Sequence, residues 1–424
     1  MLTNGLTSFA PYPVEPQWQD AAQDATQDDA AGGHDDDELA GFRVAIVHEW
    51  FVNQGGSEKV VEQILQVFPQ ADLFALVDFL PEDQRGFIGN RKVTTTFIQR
   101  LPRARKSFRN YLLLMPLAIE QFDLSSYDLV ISSSHAVAKG VITGPRQVHV
   151  SYVHSPMRYA WDLQHQYLRE SRLLSGMKSW AARICLHLLR MWDSRTASGV
   201  DAFLANSAYI AKRIRKTYGR GAKVVYPPVD IGRFELRRCK EDYYVTVSRL
   251  VPYKQIPLIA EAFARMPERR LVIVGAGPDA ERLKEIASRA PNILLLGYQP
   301  DEVVADYMAS AKAFVFAAEE DFGIAVVEAQ ACGTPVVAFG AGGAYETVVE
   351  SRDPTRRTGV FFGRQTARSI CEAMDRFEAI GEFDARVCRA NAERFSIEQF
   401  RKNLLVAVKS AVARCRLREH PRGV

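Results

Sequence analysis

Much that would mark this chain at a glance is missing. Its six cysteines (Cys185, Cys239, Cys332, Cys371, Cys388 and Cys415) are scattered through 424 residues with no Cys-x-x-Cys pair. That spacing argues against a zinc site or a disulfide frame and for reduced thiols. Nowhere do about 18 apolar residues run together, so no membrane-crossing helix is expected. The start lacks the basic residues and apolar core of a secretory leader. No internal repeat of fixed period occurs, and no complete Gly-x-Gly-x-x-Gly fingerprint. Residues 1–42 contain no Lys or Arg, yet hold nine acids: Glu15, Asp20, Asp24, Asp28, Asp29, Asp35, Asp36, Asp37 and Glu38. This stretch, rich in Ala, Gln, Gly and Pro and without an apolar period, reads as an acidic disordered tail.

What remains is basic. The formal net charge is +4, so setting those nine acids aside leaves +13 on residues 43–424. Such a body favours anionic partners: nucleotides, lipid headgroups or nucleic acid. The basic residues are spread over helical stretches with no zinc-finger or basic-zipper pattern, which ranks nucleic acid last. Hydrophobic content of 47% with 25% charged residues is that of a folded globular body.

From Arg43 the pattern alternates between β-rich runs and helical stretches. "RVAIVHEW" (43–50), "YDLVISSS" (127–134), "QVHVSYVH" (147–154) and "VDAFLANS" (200–207) read as buried strands. "VVYPPVD" (224–230), with two prolines, suits an extended linker. A second series follows: "YYVTVSRL" (243–250), "RLVIVGAG" (270–277), "NILLLGY" (292–298), "AKAFVFAA" (311–318) and "TPVVAFG" (334–340). The alternation predicts two doubly wound α/β domains, 43–225 and 226–395, facing a cleft. Residues 396–424 should hold a long terminal helix crossing back, and a tail.

The stretch "EEDFGIAVVEA" (319–329 with its leading Glu) poses the central question. It puts acids on a strand-to-helix loop and another, Glu328, inside an apolar helix. A buried carboxylate needs a partner. The amides of Gly323, Ile324 and Ala325 should open the helix as free donors for an anion. Glu320 then lies at the cleft, and Glu328 is placed to bond a sugar hydroxyl. The bland alternative makes Glu320 a solvated loop residue and Glu328 a capped or snorkelling side chain. "VSRLVPYK" sets Arg249 after a strand and Lys254 at a helix entrance, a diphosphate clamp in form. "VGAGPD" (Gly275, Gly277) and "FGAGGAYETV" (Gly340, Gly342, Gly343) permit close backbone approach. In the first series, "NQGGSEK" brings Gly55 and Gly56 between strand and helix, with Ser57 as a candidate cap. "YVHSPMRYAWD" places His154 at a strand end, then Arg158 and Trp161.

Together these stretches, over nearly all of 43–410, resemble the family-four retaining glycosyltransferases of the GT-B fold. The motifs that carry the likeness are Glu320-x7-Glu328 with "GTPVVAFGAGG", "SRLVPYK", the early "GG" loop and His154, which fall in the family's order along the chain. "HSPMRYAWD" and "GGSEKVVE" look like bacterial O-antigen and exopolysaccharide mannosyltransferases. The resemblance implies a nucleotide-sugar donor, with GDP-mannose the donor expected, and a lipid-linked glycan acceptor. It makes Glu328 the ribose ligand and gives the diphosphate to Arg249 and Lys254. Glu320 and the amides of Gly323, Ile324 and Ala325 would hold the donor sugar, Gly55 and Gly56 would approach the distal phosphate, and His154 would bond the transferred sugar. It implies no metal and no cofactor beyond the donor, so Asp35–Asp37 is discounted as a metal site. A GT-B-fold sugar-nucleotide epimerase, and a non-catalytic sugar-nucleotide or lipid binder, stay open as alternatives.

Two stretches suggest where such a protein sits. "RLPRARKSFRNYLLLMP" carries Arg100, Arg103, Arg105, Lys106 and Arg109 with no acid, followed by the apolar run Tyr111–Met115. "SRLLSGMKSWAARICLHLLRMW" interleaves Arg172, Lys178, Arg183 and Arg190 with Leu, Met and Trp. Either these are helices with a solvated basic face and a core face, or they form a docking surface for an anionic membrane. The second reading predicts a cytoplasmic protein, peripheral at the inner face of the bacterial plasma membrane.

Overall fold

The structure, a computed structural model, describes Leu39, residues 41–171 and residues 173–419. The expectations about the acidic tail, Asp35–Asp37 and Arg172 lie outside the described residues.

Two parallel sheets make the body. The first contains β1 (Val44–Phe51), β2 (Asp72–Asp78), β3 (Val93–Thr95), β4 (Leu129–Ser134), β5 (Val148–Val153), β6 (Ala202–Ala205) and β7 (Ala222–Val224), in the order β3-β2-β1-β4-β5-β6-β7. The second contains β8 (Glu241–Val247), β9 (Leu271–Val274), β10 (Ile293–Gly297), β11 (Ala311–Phe316), β12 (Val336–Phe339) and β13 (Gly359–Phe362), in the order β10-β9-β8-β11-β12-β13. Both orders reverse direction beside their first strand, as in dinucleotide-binding sheets. This is the GT-B architecture of two Rossmann-like halves. Helices cover both faces of each sheet, which is why β4 and β5 are buried along their whole length.

Four strands had no counterpart in the sequence reading. β3, β7 and β13 are three or four residues long, too short to display a period. β2, "DLFALVD", is a short apolar run that suits a helix as well as a strand.

Helix α1 (Gly56–Val67) follows β1 and buries Val60, Val61, Ile64 and Leu65 on one face. Helices α2 (Met177–Thr196) and α3 (Ala208–Tyr218) belong to the first half; α4 (Ile256–Phe263) and α5 (Ile324–Ala331) belong to the second. The last helix, α6 (Ile397–Glu419), buries Phe400, Leu404, Ala407, Val408, Ala411 and Val412, a helical spacing. It packs on the first half: the Phe400 ring meets Tyr152 edge-on at 5.9 Å, and Arg401 Nε donates to Gln63 Oε1 at 2.8 Å. The chain thus passes between the halves twice, and the two passes lie side by side. Val229 N–H donates to Phe395 O at 2.9 Å, and Val229 bridges Ser396 in parallel.

Candidate functional site

The reversal points of the two sheets place the same kinds of loop opposite each other. In the second half β8 runs into Arg249, then a tight turn over Pro252–Lys254, with Gln255 left-handed at φ 56° before α4. Arg249 is exposed and donates to the Tyr253 hydroxyl at 2.8 Å. Lys254 is largely buried and ion-paired with Glu320. Burial, then the guanidiniums of Arg249 and Arg158, pull the Lys254 ammonium down to about 7.

Beside β8, β11 runs into the acidic loop, and the structure answers the question that loop posed. Each acid has a partner, three of them from the first half. Glu319 accepts from the Tyr209 hydroxyl at 3.0 Å, and Glu320 holds Lys254. Asp321 is bonded by Arg158 and, at 3.3 Å, by Arg213. Glu328 faces Lys59 at 4.0 Å, and burial raises its carboxyl despite that cation. Gly323 caps α5 in the left-handed region at φ 86°, so glycine is required there. Val326 N–H is taken by Gly323 O, whereas the Ile324 and Ala325 amides find no acceptor among the described residues. They point an anion-ready helix start into the site.

The glycine loops do admit close backbone approach, and what approaches is protein. A Cβ on Gly275 would fall 1.8 Å from Ser248 O, and one on Gly277 2.4 Å from Leu250 O. This loop therefore cradles the Arg249 turn, which Leu250 N–H ties to Ala276 O at 2.9 Å. A Cβ on Gly342 would fall 2.2 Å from Glu320 O, and one on Gly343 2.4 Å from Phe322 Cα. Gly343 N–H donates to Glu320 O at 2.8 Å. The glycines let one loop back up another.

The first half closes over this surface. Gly55 is the N-cap of α1, not Ser57, whose hydroxyl is spent on Glu58 at 2.8 Å. Glu58 Oε2 also accepts Gly55 N–H at 3.0 Å, the reciprocal arm of a capping box. A Cβ on Gly56 would come 3.2 Å from Ile324 Cδ1, so this loop lies on the start of α5. Beyond β5, His154 is half-buried and Ser133 Oγ lies 2.8 Å from its Nε2. Burial, then His135 and His48, hold its imidazole well below the usual range, so it is neutral near pH 7. Glu346 of the second half caps the first turn of α3, taking Ala208 and Tyr209 N–H at 2.7 and 2.9 Å.

Gly55, Gly56, His154, Arg249, Lys254, Glu320, Gly323, Ile324, Ala325 and Glu328 all lie on these facing loops and helix starts. Sequence reasoning passed over Asp321, Arg213, Glu319, Lys59 and Glu346. The signal for Asp321 was present, as the third acid of "EED" followed by Phe-Gly. It also missed Glu49, fully buried in β1, whose carboxylate takes the N–H groups of His135, Ala136, Val137 and Ala138 at 2.7–3.0 Å and shapes the loop after β4. Among the described residues no group of three or more His, Cys, Asp or Glu could hold a metal ion.

The basic candidates Arg100, Arg103, Arg105, Lys106 and Arg109 lie on the surface of the first half, all exposed. Arg109 stacks near Trp50 at 5.5 Å. In α2 a core face is present, with Leu189 buried and Leu186 and Trp192 packed on the core, but a second apolar stripe, Met177, Trp180, Ile184, Leu188 and Met191, is 49–91% exposed. Arg190, counted as a surface cation, turns inward and donates to Ala160 O at 2.8 Å. Among the described residues no helix is long and apolar enough to cross a membrane.

Comparison with known proteins fits this geometry. Residues 54–233 match the family Glycosyltransferase Family 4, and residues 231–394 match Glycosyl transferases group 1. A GDP-mannose-dependent alpha-(1-6)-phosphatidylinositol monomannoside mannosyltransferase of Mycolicibacterium smegmatis is 32% identical over 190 residues, 38% of this chain and 50% of that protein. A D-inositol 3-phosphate glycosyltransferase of Geodermatophilus obscurus is 35% identical over 201 residues, 38% of this chain and 45% of that protein. The chain thus spans about half the length of the curated relatives it matches. In fold it is similar to Anabaena Alr3699/HepE in complex with UDP, with TM-score 0.61, 18% identity, and coverage of 87% of this chain and 100% of that one. A sucrose-phosphate synthase from Thermosynechococcus elongatus gives TM-score 0.63 at 16% identity, covering 88% and 99%.

Proposed function

We propose, for a chain that joins a Glycosyltransferase Family 4 half to a group 1 half, that it is a retaining glycosyltransferase. It moves mannose from GDP-mannose to a lipid-linked glycan in surface-polysaccharide synthesis. The carrying observation is the convergence at the cleft: two cations after β8, open amides at α5, and Gly56 of the opposite half against Ile324. In this reading the diphosphate lies between Arg249, Lys254 and the α5 amides, which meet the charge that grows as it leaves. Binding exchanges the Lys254–Glu320 pair for Lys254–phosphate and Glu320–sugar contacts. Glu328 takes the ribose hydroxyls, and the acceptor attacks on the face the diphosphate departs, with a phosphate oxygen taking its proton. No second carboxylate nucleophile is then needed. The named specificity of the mycolicibacterial relative supports GDP-mannose as donor.

GDP-mannose should stabilise the protein more than UDP-glucose in a thermal-shift titration. A ligand at about 100 times its Kd adds about 2.7 kcal/mol. Equal or reversed shifts would remove the mannosyl assignment. Mass spectrometry of donor incubated without acceptor separates transfer from epimerisation, which needs no acceptor.

Lys254 also sets a pH dependence. Its ammonium, with a pKa of about 7 in the free protein, must be charged to hold a diphosphate. Affinity for GDP is therefore full below that pH and falls as pH rises through it. The slope is at most about tenfold per unit, until the pKa of the bound state is passed. Calorimetry at about pH 6.5 and about pH 8.5 should show the loss, and Lys254→Arg should flatten it, because a guanidinium keeps its charge.

The exposed stripe of α2, with Lys178 beside it and Arg100, Arg103, Arg105, Lys106 and Arg109 on the same half, is proposed to rest on an anionic bilayer at the inner face of the plasma membrane. Each cation near such a surface contributes about 1 kcal/mol. Liposome co-sedimentation should give binding to anionic vesicles only, weakened by salt and by Arg103→Glu with Arg105→Glu. A protein that stays in the supernatant with every vesicle makes a soluble acceptor the better reading.

A further inference from the structure

Behind His154 a line of polar side chains runs through the interior of the first half, from β5 to β4 to β1 to α1. Ser133 Oγ lies 2.8 Å from His154 Nε2 and 3.2 Å from His48 Nδ1. His48 Nε2 in turn faces Glu58 Oε1 at 3.6 Å. His48 and Ser133 are fully buried and Glu58 nearly so. Among the described residues His48 Nε2 has no partner at hydrogen-bond distance; the Glu58 carboxylate, at 3.6 Å, is the charge it faces. Such a run of buried polar groups in strand interiors is costly unless it is satisfied and used.

We infer that Glu58, His48 and Ser133 fix the tautomer of His154, leaving its Nδ1 as a bare acceptor for a hydroxyl of the transferred sugar. The direction of the chain follows from its far end. Glu58 Oε2 already accepts Gly55 N–H and the Ser57 hydroxyl, as a carboxylate does. An ionised Oε1 requires a proton on the nitrogen facing it, so His48 carries its proton on Nε2. With that single proton on the ring, Nδ1 is the acceptor, and the Ser133 hydroxyl donates to it. Ser133 Oγ in turn accepts from His154, which places that ring's proton on Nε2. His154 Nδ1 forms no hydrogen bond among the described residues. The reverse polarity would need a second proton on His48, an imidazolium donating from both nitrogens in the fully buried strand interior, and it would leave the His154 proton on Nδ1.

The other rings facing His154 are His135 at 6.2 Å and Tyr152 at 5.2 Å. Neither makes a bond to its ring nitrogens among the described residues, so the relay alone orients the imidazole. Glu58 serves two ends at once. One oxygen holds the Gly55 amide at the start of α1, and the other polarises the chain to His154. The three residues are positioning residues in this scheme; only His154 touches the sugar.

This inference rests on the transferase reading for what His154 bonds, but not for its tautomer. Long-range 1H–15N correlation of imidazole-labelled protein near pH 7 reads the tautomer directly, with the His154 signals assigned by their loss in His154→Asn. The wild type should show the Nε2–H form. Ser133→Ala and Glu58→Gln should shift it towards a mixture, and Ser133→Thr, which keeps the hydroxyl, should retain it. In turnover, Ser133→Ala should lower kcat about tenfold with the donor KM changed less than about twofold, and Ser133→Thr should recover most of the loss. A wild-type Nδ1–H form overturns the inference, as does full turnover in a Ser133→Ala protein whose tautomer is lost. The Nε2–H form, dependent on Ser133 and Glu58, in a protein that transfers no sugar would uphold the relay and refute the transferase reading instead.

Discussion

Arg249→Ala and Lys254→Ala are each expected to cut turnover by about 10²–10³-fold, because each removes a cation aimed at charge that develops as the diphosphate leaves. The two should differ in stability. The Arg249 side chain is exposed and, among the described residues, bonded only to the Tyr253 hydroxyl, so its loss should leave the melting temperature nearly unchanged. Removing Lys254 strands Glu320, whose side chain is 17% exposed, and should cost about 1–3 kcal/mol. Single-turnover kinetics on both variants, beside thermal melts, check this. Near-normal turnover in both would remove the clamp.

Gly275→Ala and Gly342→Ala should be as damaging as loss of the clamp itself, although neither glycine touches the proposed donor. A methyl group at Gly275 would collide with Ser248 O at 1.8 Å and displace the turn that presents Arg249. At Gly342 it would meet Glu320 O at 2.2 Å, with a backbone φ of 62° that already disfavours alanine. Gly297→Ala is the control: its φ is 69°, but nothing lies within 4 Å of the added carbon. It should cost only the about 1–2 kcal/mol of a left-handed alanine. Turnover and melting temperature of the three variants together separate backbone strain from loop collision. If Gly275→Ala behaves like Gly297→Ala, the loops are more pliant than their packing implies.

The sequence carried the architecture because each half repeats strand, loop and helix with long buried runs, and because the loops that matter follow strands such as "AKAFVFAA". It carried Lys254, Glu320 and Glu328 for the same reason. It did not carry the partners of those acids. Asp321 meets Arg158 and Arg213 more than a hundred residues away in the chain, and nothing local encodes a contact between halves. The glycines show the same limit: spacing reveals that the backbone must be approached closely, not by what. For α2 the pattern was ambiguous in principle, since an apolar stripe has the same period whether it faces a core or solvent.

The doubled passage at Val229 and Ser396 restricts how the halves can part. A single linker would leave one half free to swing and twist about the other. Two passes bonded side by side remove most of that freedom, leaving a bend about one line as the soft motion. Rings reinforce that line: Tyr226 of the first pass and Phe395 of the second meet edge-on at 5.0 Å, and Phe322 of the acidic loop packs against both. The halves are joined as by a pinned hinge, in which the Val229–Phe395 bond and the Tyr226, Phe322 and Phe395 rings form the pin.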